Sequence, residues 1–352
     1  MGIADGIHLA DAQIHVRIVL ALSFQMSGVS VGLVTDSPIL FQLCLEYFRY
    51  YNPLQSDSSA HYQIKIKLLL REKHLLQVSK PTEFLSNVGV VELSRSITNE
   101  WFYYRTDTTL FRVNPHNGYA VGIVNSKALE LSNLLVNTYL FSVLLLLLRY
   151  QSVYHLHAAA VISPAEKVHL ICGAQRAGKS TLTAAFGVAG WKPISDDGIL
   201  LSRDVEGNAR FEAFKREFHL STELLNKWKG LSGLTSRHDY FDRSCLDGLN
   251  YFSSLELANQ PYQQFESVIF PMISGEAQSC LETISPSEAF QKLIGQSMYF
   301  PLGIKHTKQH FELLSELCGS AKFYKLLAGK DVWDDPENLL PICARLSRTH
   351  RA

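Results

Sequence analysis

Apolar and polar residues alternate along His61-Tyr62-Gln63-Ile64-Lys65-Ile66-Lys67-Leu68, a period of two that predicts a half-buried strand. Trp101-Phe102-Tyr103-Tyr104 predicts a second strand. Tyr119-Ala120-Val121-Gly122-Ile123-Val124 predicts a third, following an Asn117-Gly118 turn. The pattern then changes. From about 126 to 150 the chain is leucine-rich, with leucine at every position from Leu144 to Leu148, and a helix that is apolar on most sides is predicted to be buried. Lys167-Val168-His169-Leu170-Ile171-Cys172 reads as a buried strand, Thr181-Leu182-Thr183-Ala184-Ala185-Phe186 as the start of a helix, and Trp191-Lys192-Pro193-Ile194-Ser195 as a short strand. A hairpin is predicted over Gly198 to Phe214, turning at Glu206-Gly207-Asn208, and a strand over Ser267-Val268-Ile269-Phe270 that ends at Pro271. Three helices should follow. The first opens with Ser285-Pro286-Ser287-Glu288, a capping box with proline at the first helical position. The second covers about 307 to 318, and the third runs from Asp335-Pro336-Glu337 to near Leu346.

These elements divide the chain into a strand-rich α/β N-terminal domain (1–125), a buried connecting helix (126–150) and a second α/β domain (151–346). Neither apolar run predicts a membrane span. Ile18 to Phe24 is too brief and lacks the order of a signal peptide. Leu134 to Leu148 contains Asn137, Thr138 and Ser142, and is shorter than the ~20 residues a helix needs to cross.

The candidate chemistry lies in the second domain. Gly173-Ala174-Gln175-Arg176-Ala177-Gly178-Lys179-Ser180 is a complete Walker A phosphate-binding pattern. Its glycines let backbone N–H groups close around phosphate oxygens. Lys179 would neutralise the β- and γ-phosphates, and Ser180 would offer its hydroxyl to Mg²⁺. The buried strand before it and the helix after it put the loop, with Thr181, at a helix N-terminus that can receive an anion. Two carboxylates, Asp196 and Asp197, end the short strand that follows. One can hold the Mg²⁺ shell while the other accepts a proton from an incoming hydroxyl. The same residues could instead be a simple turn, with Asp197-Gly198 as the reversal.

The stretch Leu156-His157-Ala158-Ala159-Ala160-Val161, followed by strand, P-loop, helix and Ser195-Asp196-Asp197, resembles the catalytic core of the HPr kinase/phosphorylase superfamily. Phosphoenolpyruvate carboxykinase is related to that superfamily by fold. The resemblance is specific over about 154 to 203, looser to about 330, and slight over the first 125 residues. It implies a P-loop kinase core that uses ATP and Mg²⁺. Asp196 would be the general base, Asp197 and Ser180 would stand at the metal, His157 would sit near the phosphoacceptor, and Gly173, Gly178 and Lys179 would hold the nucleotide. The HPr kinases proper carry a Pro-x-x-x-Gly-Arg-Asn stretch. Its closest match here is Pro271-Met272-Ile273-Ser274-Gly275-Glu276-Ala277, with acidic Glu276 where the arginine would stand. That departure points away from HPr as the acceptor and from an efficient reverse reaction. A serine of another peptide or protein fits better, a natural-product precursor peptide included.

Composition sets the outer limits. The 352 residues are 47% hydrophobic, with 33 basic and 33 acidic side chains. That balance gives no basic patch for nucleic acid or a membrane surface, and its neutrality suggests a homo-oligomer. The six cysteines (Cys44, Cys172, Cys245, Cys280, Cys318, Cys343) are scattered without a Cys-x-x-Cys pair, the usage expected of a reducing, cytoplasmic compartment. His306 and His310 stand four apart on a predicted helix, but without the zincin glutamate they read as a solvated face. Arg176, Lys215, Arg216, Arg237 and Arg243 are the cations that could approach a transferring phosphoryl group. Three functions remain open on these grounds: a kinase for a serine hydroxyl, a kinase for a small hydroxyl compound, and a nucleotide-gated binding protein without transfer.

Overall fold

The computed structural model describes residues 20–51, 53–54, 62–71, 82–88, 91–96, 101–214, 217–231, 237–238, 243–246, 251–252, 257, 260–297 and 304–347. They form a mixed α/β protein with several sheets. The chain divides into two compact units, Met1–Gln151 and Ser152–Ala352.

The first unit is built on strands β1 (Leu20–Met26), β2 (Val29–Thr35), β3 (Ile64–Leu70), β4 (Thr82–Val88), β5 (Val91–Ser96), β6 (Phe102–Arg105), β7 (Thr109–Asn114) and β8 (Tyr119–Val124). They form one eight-stranded sheet in the order β1-β2-β3-β8-β7-β6-β5-β4. The run Ile18 to Phe24, weighed above only as a membrane segment, largely becomes edge strand β1, paired antiparallel to β2. Helix α1 (Pro38–Tyr47), capped by the Ser37 hydroxyl, carries the chain from β2 to parallel β3. The leucine-rich stretch belongs to this unit. It runs through a 3-10 segment (Ser126–Leu131), a π-helical segment (Leu135–Leu140) and helix α2 (Phe141–Tyr150). Every α2 residue from Ser142 to Arg149 is buried, as an all-round apolar surface requires. Among the described residues no helix is long and apolar enough to cross a membrane. His61, at the head of the alternating run, lies outside the described residues, and β3 begins at Ile64.

The second unit opens with β9 (Tyr154–Leu156), β10 (Ala158–Ile162) and β11 (Val168–Cys172), then helix α3 (Lys179–Val188). After it come β12 (Lys192–Ser195), the hairpin β13 (Ile199–Arg203) and β14 (Ala209–Ala213), β15 (Phe218–Ser221) and helix α4 (Thr222–Lys227). The remainder is β16 (Arg237–His238), β17 (Arg243–Leu246), β18 (Ser267–Ile273), β19 (Cys280–Thr283), α5 (Pro286–Gln296), α6 (Ile304–Leu317), β20 (Lys322–Ala328), α7 (Lys330–Asp334) and α8 (Leu340–Ser347). The central sheet has the order β12-β10-β11-β18-β20-β19. β11, β18 and β20 run parallel, and β10 runs antiparallel to both β11 and β12. Beneath this sheet lies one core, in which Leu156, Leu170, Ile194, Phe211, Phe265, Leu293 and Leu314 are all buried.

Two expectations need correction here. β18 does not stop at Pro271 but continues to Ile273, because β20 keeps pairing with it to Ala328. The ladder to β11 ends at Ile171 opposite Ile269, so one edge of β18 carries no backbone bonds at the proline. His310 does not lie on a solvated helix face: it is fully buried and stacks on Tyr154 at 4.9 Å between ring centroids. The other helices follow their signals. Ser285 caps α5 by accepting the Glu288 N–H at 3.2 Å, an arrangement worth about 1 kcal/mol.

Candidate active site

The order of strands brings the candidate residues to one edge of the central sheet. β10 begins at Ala158, opposite Cys172 at the end of β11. β12 ends at Ser195, opposite Ala160 of the same β10. His157 therefore enters at the edge where β11 gives way to the loop 173–178 and β12 to Asp196 and Asp197. Strands lie ~4.8 Å apart, so the two chain reversals stand about two strand spacings from each other.

The loop 173–178 joins the end of β11 to the start of α3. Gly178 caps α3 with φ +92°, in the left-handed region that an L side chain enters only at a cost. No side chain caps α3 there, which leaves the first-turn N–H groups and the positive end of the helix dipole facing the loop. Arg176 also has positive φ, +66°. Ala174, Gln175 and Arg176 are exposed, whereas Gly173, Ala177, Ser180 and Thr181 are half-buried. Lys179 is buried, and its ammonium donates to the carbonyls of Gly173 at 2.9 Å and Ala174 at 3.2 Å. Thr183 returns a hydroxyl bond to the Lys179 carbonyl at 2.8 Å. Cys172, next to the loop, is no nucleophile: burial pushes its thiol up to about 12, so the reactive thiolate does not form near neutral pH.

The two carboxylates occupy different surroundings. Asp196 is 3% exposed; one oxygen accepts the His219 N–H of β15 at 3.2 Å, and the other is buried with no hydrogen-bond partner among the described residues. A buried acceptor of that kind is costly unless something binds it. Asp197 is the more open of the two, with a side chain 35% exposed, and its Oδ1 lies 2.7 Å from His157 Nε2. The His157 backbone is itself fixed, donating to the Gln296 carbonyl at 3.0 Å. Ser195 holds the turn: its hydroxyl donates to the Gly198 carbonyl and accepts the Gly198 N–H. Gly198 packs so closely that an added Cβ would lie 2.4 Å from His155 Nε2.

His155 and His157, two positions apart, have different surroundings. His155 is buried on β9 against Phe214, at 6.1 Å between ring centroids, while His157 meets Asp197. Of the candidate cations, Arg176 sits on the loop. Lys215 and Arg216 lie outside the described residues, and Arg237 and Arg243 are described only as backbone in β16 and β17. Sequence reading missed His219, whose contribution is a backbone N–H and leaves no side-chain signature.

Among the described residues no group of three or more His, Cys, Asp or Glu could hold a metal alone. Mg²⁺ does not ask for such a cage: it keeps waters and takes one or two carboxylates together with substrate phosphates. The orphaned Asp196 oxygen and the Ser180 hydroxyl suit that partial shell. No protein family matches the sequence, and no curated protein matches it. Among solved structures, the Hpr(Ser) kinase/phosphatase from Coxiella burnetii is similar with a TM-score of 0.27 and 14% identity, over 56% of this chain and 95% of that one. A TM-score that low leaves any functional reading to rest on the site's own residues.

Proposed function

We propose that the chain is an ATP- and Mg²⁺-dependent phosphotransferase acting on a hydroxyl, that of a serine in a peptide or protein. The observation that carries this reading is the convergence, at one sheet edge, of a lysine-bearing loop at an open helix N-terminus with a carboxylate pair in which His157 holds Asp197. A nucleotide-gated binding protein needs the loop but not the pair.

In this reading the amides at the start of α3 and the Lys179 ammonium receive the β- and γ-phosphates. Asp196 and Ser180 would hold Mg²⁺, which supplies charge neutralisation on the phosphates when bound. Asp197 takes the proton of the acceptor hydroxyl as its oxygen forms a bond to the γ-phosphorus and the bond to the ADP oxygen breaks. His157 orients Asp197 for that transfer. This division exchanges the roles that the resemblance implied for the two aspartates. Accessibility supports the exchange: a substrate hydroxyl can reach a carboxylate that is one-third exposed, whereas Asp196 is nearly closed off. An acceptor on a peptide or protein suits a base that opens to solvent.

The test is transfer of ³²P from γ-labelled ATP with Mg²⁺ into a cell lysate and into the products of adjacent genes. A labelled acceptor that is lost in Asp197→Asn supports the reading. Tight ATP binding with no transfer to any acceptor would favour the gated binding protein instead.

A further inference from the structure

A cavity of about 320 Å³ opens beside the loop, lined by Gly178, Leu182, Pro271, Ile273, Val332 and Trp333. It lies at the ends of β18 and β20, on the opposite side of β11 from β10 and β12. We propose that this cavity takes the nucleoside of the bound nucleotide, with the base packed on Trp333. The proposal rests on the phosphate-loop reading above and adds the direction in which the nucleotide lies.

The direction follows from strand order. The carboxylates that would act on the γ-phosphate follow β12, two strands from β11 on one side. A triphosphate threaded through the loop therefore sends its other end toward β18 and β20. The wall it meets there is mostly apolar, which suits a base better than a phosphate or a charged peptide. Its volume is near the small end of the roughly 300–1,000 Å³ typical of ligand sites, room for one nucleoside and little more.

The wall is also built to hold its shape. Asp331 accepts from the Ser279 hydroxyl at 2.6 Å, the Ser279 N–H at 2.8 Å and the Val332 N–H at 2.8 Å, tying α7 to the segment before β19. Trp333 is fixed through its backbone, whose carbonyl accepts the Trp228 indole N–H at 3.0 Å. The Lys227 ammonium lies over its ring at 5.2 Å from the centroid. A wall fixed in advance loses little entropy when the base arrives.

The experiment compares ATP with inorganic tripolyphosphate, both with Mg²⁺, by calorimetry on the full chain and its Trp333→Ala and Ile273→Ala variants. Ile273 is 69% exposed, so its truncation does not threaten folding. The expected result is that wild type binds ATP about tenfold or more tighter than tripolyphosphate. Both variants should lose most of that preference by weakening ATP, with tripolyphosphate unchanged. Equal affinity of wild type for the two ligands, or equal weakening of both in the variants, overturns the nucleoside cavity alone. Binding of neither ligand to wild type overturns the phosphate-loop reading and the cavity with it.

Discussion

His157 Nε2 stands 2.7 Å from Asp197 Oδ1, although forty positions of sequence separate the two residues. Asp197→Asn keeps the shape and loses the base. Transfer should then fall by about 10²–10⁴-fold, the usual worth of a positioned acid–base group, with ATP affinity changed less than about twofold. His157→Ala should cost less, because it removes the orienting partner and leaves the carboxylate. Single-turnover transfer alongside ATP titration checks both, and a large loss of ATP affinity in Asp197→Asn would contradict the role given to Asp197.

Asp196→Asn should behave differently. One of its oxygens accepts the His219 N–H and the other is buried with no hydrogen-bond partner among the described residues, so under the proposed function the amide would weaken Mg²⁺ binding more than it removes a base. The Mg²⁺ concentration giving half-maximal rate should rise by about tenfold or more. An unchanged Mg²⁺ dependence with a collapsed rate would return the base to Asp196.

Gly178→Ala places a Cβ at φ +92°. The nearest side chain, Ile273, would be 3.6 Å away, an ordinary contact, so the cost is conformational, about 1–2 kcal/mol. Urea unfolding should show that loss, and nucleotide affinity should drop with it. Gly198→Ala has another cause: its Cβ meets the buried His155 ring at 2.4 Å. It should destabilise by about 1–3 kcal/mol and reduce transfer by shifting the turn that carries Asp197.

His169 gives a prediction in pH. Burial, aided by Lys322, pushes its pKa down to about 3 from 6.5. Above pH 6.5 the ring is neutral whether the chain is folded or not. Below that, the unfolded chain takes up a proton that the folded one resists, so stability falls as pH drops from 6.5 toward 3. Between pH 7.5 and 5.5 wild type should lose about 1.4 kcal/mol more than His169→Gln, measured by urea unfolding. Parallel slopes for the two proteins would show that His169 does not resist protonation.

The loop and its surroundings were legible in sequence because each part signals locally: an apolar run, paired glycines with lysine and serine, then a helix. β20 was not. Its Lys322 and Lys325 look like surface positions, yet they reach Glu266 at 3.6 Å and Glu282 at 3.8 Å on neighbouring segments of the fold. Only Tyr324 and Leu326 of this strand are buried, too few to mark a strand that lies inside the sheet. The cavity wall was hidden for the same reason, since it unites residues from α3, β18 and α7 that no spacing connects. His157 was found by resemblance and the two aspartates by their place after the P-loop helix, but the unequal exposure of the aspartates is a property of packing. Neither periodicity nor motif distinguishes an almost closed Asp196 from an open Asp197.

The ammonium of Lys179 bonded to its own loop's carbonyls has a consequence for selectivity. Under the proposed function a phosphate ligand would have to outcompete two hydrogen bonds that are already made. Inorganic phosphate and nucleoside monophosphates, with one phosphoryl group each, offer the lysine little more than it already has. A di- or triphosphate brings further oxygens to the helix amides at the same moment. In the proposed function the loop would therefore act as a threshold on phosphate number, turning away small anions with a single phosphoryl group before chemistry begins.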